Sequence, residues 1–244
     1  MIKTVGLTKI FDKVAAVNDL DLEIKTGEIF GFLGPNGAGK TTTIKLMTGL
    51  LRPTNGEALI NSLNIQKDAL EIKKMIGYIP EQPFVYPKLT GEELLKFVAN
   101  LYEVKDPHQK IDKLISIFEL NPYRHDMIEG YSHGMCQKLV ISACLLHEPK
   151  VIFVDEPIVG LDPKSIRLVK DVFKENARRG VTIFMSTHTL DLAQDICTHI
   201  GIINNGRLIA EGTLQELQKS GGHKELEDVF LQLTRPEFQD KTLG

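Results

Sequence analysis

Gly34-Pro35-Asn36-Gly37-Ala38-Gly39-Lys40-Thr41 satisfies the spacing Gly-x-x-x-x-Gly-Lys-Ser/Thr in full, directly after the apolar run Ile29-Phe30-Gly31-Phe32-Leu33. The residues that follow, from about Lys40 to Leu51, place Ile44, Met47 and Leu51 at helical spacing. The stretch therefore predicts a strand, a phosphate-binding loop and a helix in immediate succession. Glycines let successive backbone N–H groups turn inward around an anion, and the helix N-terminus adds partial positive charge. Lys40 can reach the β- and γ-phosphates of a nucleoside triphosphate, and the Thr41 hydroxyl can ligate Mg²⁺.

A second stretch gives that loop a chemical counterpart. Val151-Ile152-Phe153-Val154-Asp155-Glu156-Pro157 carries two acids at the exit of an apolar strand. Unpaired charge there is costly unless a cation offsets it. A metal–triphosphate supplies the offset, with Asp155 holding the metal and Glu156 polarising an attacking water. Taken alone, the pair also fits an acidic cluster at a helix N-terminus.

Further out, short β segments are expected around Thr4–Thr8, Leu20–Ile24, Glu28–Leu33 and Glu57–Ile60, with turns at Thr26-Gly27 and Thr54-Asn55-Gly56. From Thr90 to about His147 the pattern is mostly helical. Apolar strands return at Val151–Val154, Val181–Met185 and Ile200–Ile203, as in parallel sheets covered on both faces. Leu226, Val229, Phe230 and Leu233 predict an amphipathic helix docked on the body. An α/β core with a helical insertion accommodates all of this.

At 244 residues the chain can bury a sizeable core, and its net charge of −3 disfavours a nucleic acid held mainly by charge. No apolar run approaches the roughly eighteen residues that cross a bilayer, and the start carries no signal-peptide core. Cys136, Cys144 and Cys197 stand far apart, which suggests neither a zinc site nor a disulfide framework. These features lead us to expect a soluble, intracellular protein that leaves any membrane work to a partner.

Tyr131-Ser132-His133-Gly134-Met135-Cys136-Gln137-Lys138 resembles the signature segment of the ABC ATPase family, which reads LSGGQ or, in one branch, SGGMKQ. Gly160-Leu161-Asp162 resembles the family's D-loop, His188 its switch histidine, and Phe11 the aromatic that stacks on adenine. The motifs follow the family's order and span nearly the whole chain. The resemblance implies a P-loop NTPase core with a mostly parallel sheet, an antiparallel β subdomain and an inserted helical subdomain. Residues 1–88 and 149–213 would form the nucleotide-binding core, 89–148 the helical signature subdomain and 214–244 a helical tail. It implies ATP contacts from Phe11 and Val17 and from the loop Gly34, Pro35, Asn36, Gly37, Ala38, Gly39, Lys40, Thr41 and Thr42. Ser132, Gly134 and Asp162 would act on ATP held by a second subunit, across a two-fold interface. Glu156, His188 and Lys40 carry the implied catalysis, and Thr41 and Asp155 the Mg²⁺.

The family's Q-loop glutamine falls at Glu81 or at its neighbour Gln82, so both are candidates for the metal contact. His133 replaces a signature glycine, and Cys136 stands where a basic residue is usual. The expected function is the ATP-hydrolysing subunit of an ABC transporter. It would pair with an identical or homologous subunit and drive a separate membrane permease. Gly77–Thr90 and Leu226-Glu227-Asp228-Val229-Phe230-Leu231 resemble the ABC-2 exporter branch, which points to export. The alternative is a soluble ABC ATPase acting on the ribosome, a class that usually carries two cassettes in one chain.

Overall fold

The computed structural model describes residues 1–158, 160–220, 222 and 225–234. Among them the chain runs β1 Ile2–Phe11, β2 Val14–Ile24, β3 Ile29–Leu33, α1 Lys40–Met47, β4 Asn55–Ile60, β5 Leu63–Asn64, α2 Ala69–Met75 and β6 Ile76–Ile79. Three helices follow, α3 Gly91–Leu101, α4 Pro107–Ile117 and α5 His133–Leu146. Then come β7 Val151–Asp155, α6 Pro163–Arg178, β8 Thr182–Thr187, α7 Leu190–Ile196, β9 His199–Asn204, β10 Arg207–Gly212, α8 Leu214–Ser220 and α9 Leu226–Thr234. Of the expected tail, residues 221, 223, 224 and 235–244 lie outside the described residues.

Two sheets organise these elements. The larger has the order β10-β9-β3-β8-β7-β6, parallel from β6 to β9 with β10 antiparallel at its edge. The smaller is antiparallel, in the order β2-β1-β4-β5. Side chains on a strand alternate between faces, and the central strands use both faces for core. In β7, Val151 and Phe153 pack with α1 and the smaller sheet, whereas Ile152 and Val154 pack with the helices. Phe184 of β8 stacks on Phe30 with centroids 5.6 Å apart and also meets Phe32 and Phe153. This cluster and the fully buried Ile44, Leu46 and Met47 of α1 fill the space between the sheets. Helices α3 to α6 cover the opposite face.

Several boundaries differ from the expectation. β1 and β2 are about twice as long as the apolar runs suggest, because each also satisfies its neighbour's backbone groups across a bulged ladder. The helix expected to reach Leu51 stops at Met47. Thr48 Oγ1 turns back to the Ile44 carbonyl at 2.9 Å, and Gly49, at φ +72°, carries the chain out of the helix. β6 and β10 were not expected. β6 follows α2 with no turn between them, and β10 alternates polar and apolar residues on the outer edge. Leu226 of α9 is buried against the body beside Leu33 and Ile202, and Val229 of the same helix is buried too.

Candidate functional site

The carboxyl ends of β3, β7 and β8 lie side by side, paired Leu33 with Thr187 and Asp155 with Ser186. In open parallel sheets this edge is where ligands are held. The loop leaving β3 wraps it. Gly39, at φ +109°, is the N-cap of α1, and a Cβ there would run into the Ala16 carbonyl oxygen. The side of Gly37 is open, at φ +80°, with nothing within 4 Å of where its Cβ would be. Thr43 N–H, bonded to the Gly39 carbonyl at 2.9 Å, is the first helical donor satisfied. The N–H groups before it are left at the positive end of the helix dipole.

Lys40 is buried in this loop. Its Nζ donates to the carbonyls of Gly34 at 2.8 Å and Pro35 at 3.2 Å, and lies 3.9 Å from Glu156 Oε1. Burial pushes the ammonium pKa down, while the charges of Glu156, Asp155 and Glu81 pull it back up.

The two adjacent acids are sent to different partners. Asp155 ends β7 in regular strand geometry and accepts a very short hydrogen bond from Ser186 Oγ. Glu156 takes φ +50°, a left-handed conformation that is costly for a residue with a Cβ. Its N–H donates to the Ser186 carbonyl at 3.1 Å. This twist turns the Glu156 side chain toward His188, whose Nδ1 is 2.8 Å from Oε1, and toward Thr187, whose Oγ1 donates to Oε2 at 3.3 Å. Glu156 is 8% exposed and His188 54%, so the imidazole joins a buried carboxylate to the open side. With the carboxylate ionised, Nδ1 of His188 carries the donated proton.

A cavity of about 440 Å³ lies between these groups. Asn36, Gly37, Gly39, Lys40, Thr41 and Thr42 form its loop wall, and Ala16, Glu81, Glu156 and His188 complete it. Gln82 does not line it, and neither do Phe11, Val17, Ser132, Gly134 or Asp162. Val17 is fully buried in the core, so strand alternation gives the cavity Ala16 instead. Phe11, 44% exposed, ends β1 with Lys9 Nζ 5.1 Å from its ring centroid. Ala16 and the pair Ser186 and Thr187 were not among the residues expected at the site. Ser186 and Thr187 stood in the sequence directly before His188, and only the β7–β8 register shows that they hold the two acids.

Ser132 caps α5, accepting from Met135 N–H at 3.3 Å, and Asp162 caps α6, accepting from Ser165 N–H at 3.0 Å. The Ser165 hydroxyl and amide hold the Asp162 carboxyl below the usual range. The two caps belong to one patch, since the His133 ring packs on Gly160 and Gly134 approaches Leu161. That patch is separate from the chain's own cavity.

The donor set suits a metal brought by a nucleotide. Among the described residues no three His, Cys, Asp or Glu side chains converge as a cage. Mg²⁺ is ordinarily held by one or two carboxylates together with substrate phosphates. Thr41 at the loop and Asp155 beside it match that requirement, and the open N–H groups suit the phosphates.

A sequence profile of the ABC transporter family matches residues 17–159. The chain is 40% identical to the bacitracin transport ATP-binding protein BcrA of Bacillus licheniformis over 90% of its own length and 72% of that protein's. It is 35% identical to the probable multidrug ABC transporter ATP-binding protein YbhF of Escherichia coli, over 96% of its own length but only 41% of YbhF. Its fold superposes on a solved ATP-binding subunit of an ABC transporter with a TM-score of 0.91, at 31% identity, covering 96% of this chain and all of that one.

Proposed function

This chain belongs to the ABC transporter family as an ATP-binding subunit, and from that premise we propose that it drives export through a separate membrane protein by hydrolysing ATP between two such subunits. The names of its relatives are those of transport subunits, which favours transport over action on the ribosome. Among the described residues no helix is long and apolar enough to cross a membrane. A membrane partner therefore does the crossing in this reading, and the chain works at the cytoplasmic face.

One observation carries the proposal: Glu156, gripped by His188 and Thr187, faces the phosphate loop across a shared cavity. In the proposed reaction a water oxygen attacks the γ-phosphorus and the bond to the β,γ-bridging oxygen breaks, leaving ADP and phosphate. Glu156 takes the water's proton. His188 orients that carboxylate by donating from Nδ1. Lys40 and the open N–H groups of the loop hold the phosphates and offset charge on the leaving oxygen. Bound Mg²⁺, held by Thr41 and Asp155, would neutralise phosphate charge. Phe11 would stack on adenine, and Val17 would support the loop from beneath.

In this reading residues 89–148 form the unit that presents Ser132 and Gly134, with Asp162 beside them, to ATP on the partner subunit. That none of the three lines the chain's own cavity supports such an arrangement. Glu156→Gln keeps the shape of the site and removes the base. It should lower turnover at least roughly a hundredfold and accumulate a dimer in Mg-ATP, read by phosphate release and sedimentation. Normal hydrolysis with only monomer present would overturn both assignments.

A further inference from the structure

Ser132 and Asp162 are held by different helices, Ser132 by the Met135 amide of α5 and Asp162 by the amide and hydroxyl of Ser165 in α6. What joins the two caps is a contact between the residues beside them. The exposed His133 ring lies over Gly160, whose backbone is left-handed at φ +74°. A Cβ on Gly160 would stand 2.5 Å from Cδ2 of that ring and 3.1 Å from Nε2. Two such groups cannot share the space, so the imidazole fills the volume that a side chain at 160 would need. Gly134 comes close as well, since its Cβ would lie 3.6 Å from both the Gly160 carbonyl oxygen and Leu161 Cδ2. A further tie, Lys164 of α6 to Glu119 just past α4 at 2.7 Å, is an exposed ion pair of the kind that contributes little.

We propose that His133 is a positioning residue: its ring, seated on Gly160, sets the Ser132 cap of α5 and the Asp162 cap of α6 as one rigid unit before the partner subunit arrives. A surface already ordered loses less freedom when the dimer closes. The inference rests on the reading of this patch as the surface that meets the partner's ATP. It adds a part for His133 that a glycine at the same position, having no side chain to seat, cannot play.

The test is a double-mutant cycle in the full chain: His133→Gly, Gly160→Ala and the two together, with His133→Phe as the variant that keeps a flat ring. Sedimentation in Mg-ATP, in the Glu156→Gln background, measures the dimer. Calorimetry with Mg-ADP, which has no γ-phosphate for a partner to meet, reports on the chain's own cavity. His133→Gly should weaken the dimer about tenfold, the order of ordering one interfacial side chain, with Mg-ADP affinity unchanged and His133→Phe close to the parent. Gly160→Ala drives a methyl group into the ring and should weaken the dimer further. Removing the ring in the double variant should recover about tenfold of that loss, because residues in contact do not act additively. Additive losses, an unchanged dimer in His133→Gly, or equal losses in His133→Gly and His133→Phe overturn the role of the ring. A fall in Mg-ADP affinity and thermal midpoint together with the dimer also overturns it, since the ring would then serve the fold alone. If the Glu156→Gln parent itself forms no dimer in Mg-ATP, the reading of the patch fails instead.

Discussion

Lys40 and Glu156 illustrate how closely the site's charges depend on one another. The ammonium is tied to two loop carbonyls and sits 3.9 Å from the carboxylate, so each offsets the other's burial. Lys40→Ala should abolish phosphate release and weaken ATP binding about tenfold or more, since one desolvated charge contact is lost while the backbone donors remain. Equilibrium dialysis and a phosphate assay measure both, and near-normal turnover would refute the assignment of Lys40. Cys136 shows the opposite balance. Its place in the first turn of α5 favours a thiolate, yet burial against the core wins and raises its pKa. Burial pushes Cys144 and Cys197 further, to about 12. Maleimide at pH 7 should therefore modify Cys136 slowly and leave the other two untouched, with Cys136 labelling faster as pH rises. Mass-spectrometric mapping checks this, and equal labelling of Cys144 in the native protein would contradict the packing.

At the scale of elements, a small ionic clasp joins the helices that precede the signature segment. Glu92, near the start of α3, accepts from Lys96 at 2.8 Å and from Arg124 at 3.0 Å, and Arg124 also reaches Asp112 of α4 at 2.9 Å. Lys96 first, then Arg124, holds the Glu92 carboxyl down at about 2. Because the folded value is depressed, the clasp stabilises the protein above about pH 4.5 and is lost as pH falls toward 2. Glu92→Gln should cost about 1–2 kcal/mol at pH 7, and the difference from the parent should shrink through that acid window. Denaturant midpoints measured at pH 7 and pH 3 test it, and a difference independent of pH would show that Glu92 acts by packing alone.

For the molecule as a whole, one sheet edge gathers the phosphate loop, both acids and His188, while Ser132 and Asp162 lie together in another patch. A single chain therefore holds half of each of two composite sites in the proposed dimer. Ser132→Arg places bulk at a helix N-terminus outside the chain's own cavity. It should leave Mg-ATP binding by one subunit intact, remove the ATP-dependent dimer in the Glu156→Gln background and lower turnover at least roughly tenfold. Sedimentation and calorimetry separate these effects. A normal dimer would mean that the patch faces away from the partner's nucleotide.

The amino-acid sequence alone determined the chemistry of the phosphate loop, the acid pair and the buried strands, because those signals are local. A glycine spacing, an apolar run and two adjacent carboxylates are legible within a few residues. It also determined the order of motifs that marks the family. The tertiary structure decided which of two neighbours reaches the cavity: Ala16 over Val17, by strand alternation against a core, and Glu81 over Gln82 in the loop after β6. It decided that Ser186 and Thr187 hold acids 31 residues away, which follows from parallel register between β7 and β8. The left-handed turn at Glu156 is likewise invisible in the sequence, since glutamate carries no preference for it. Only the packed sheet, which spends Asp155 on Ser186, requires the next carboxylate to turn the other way.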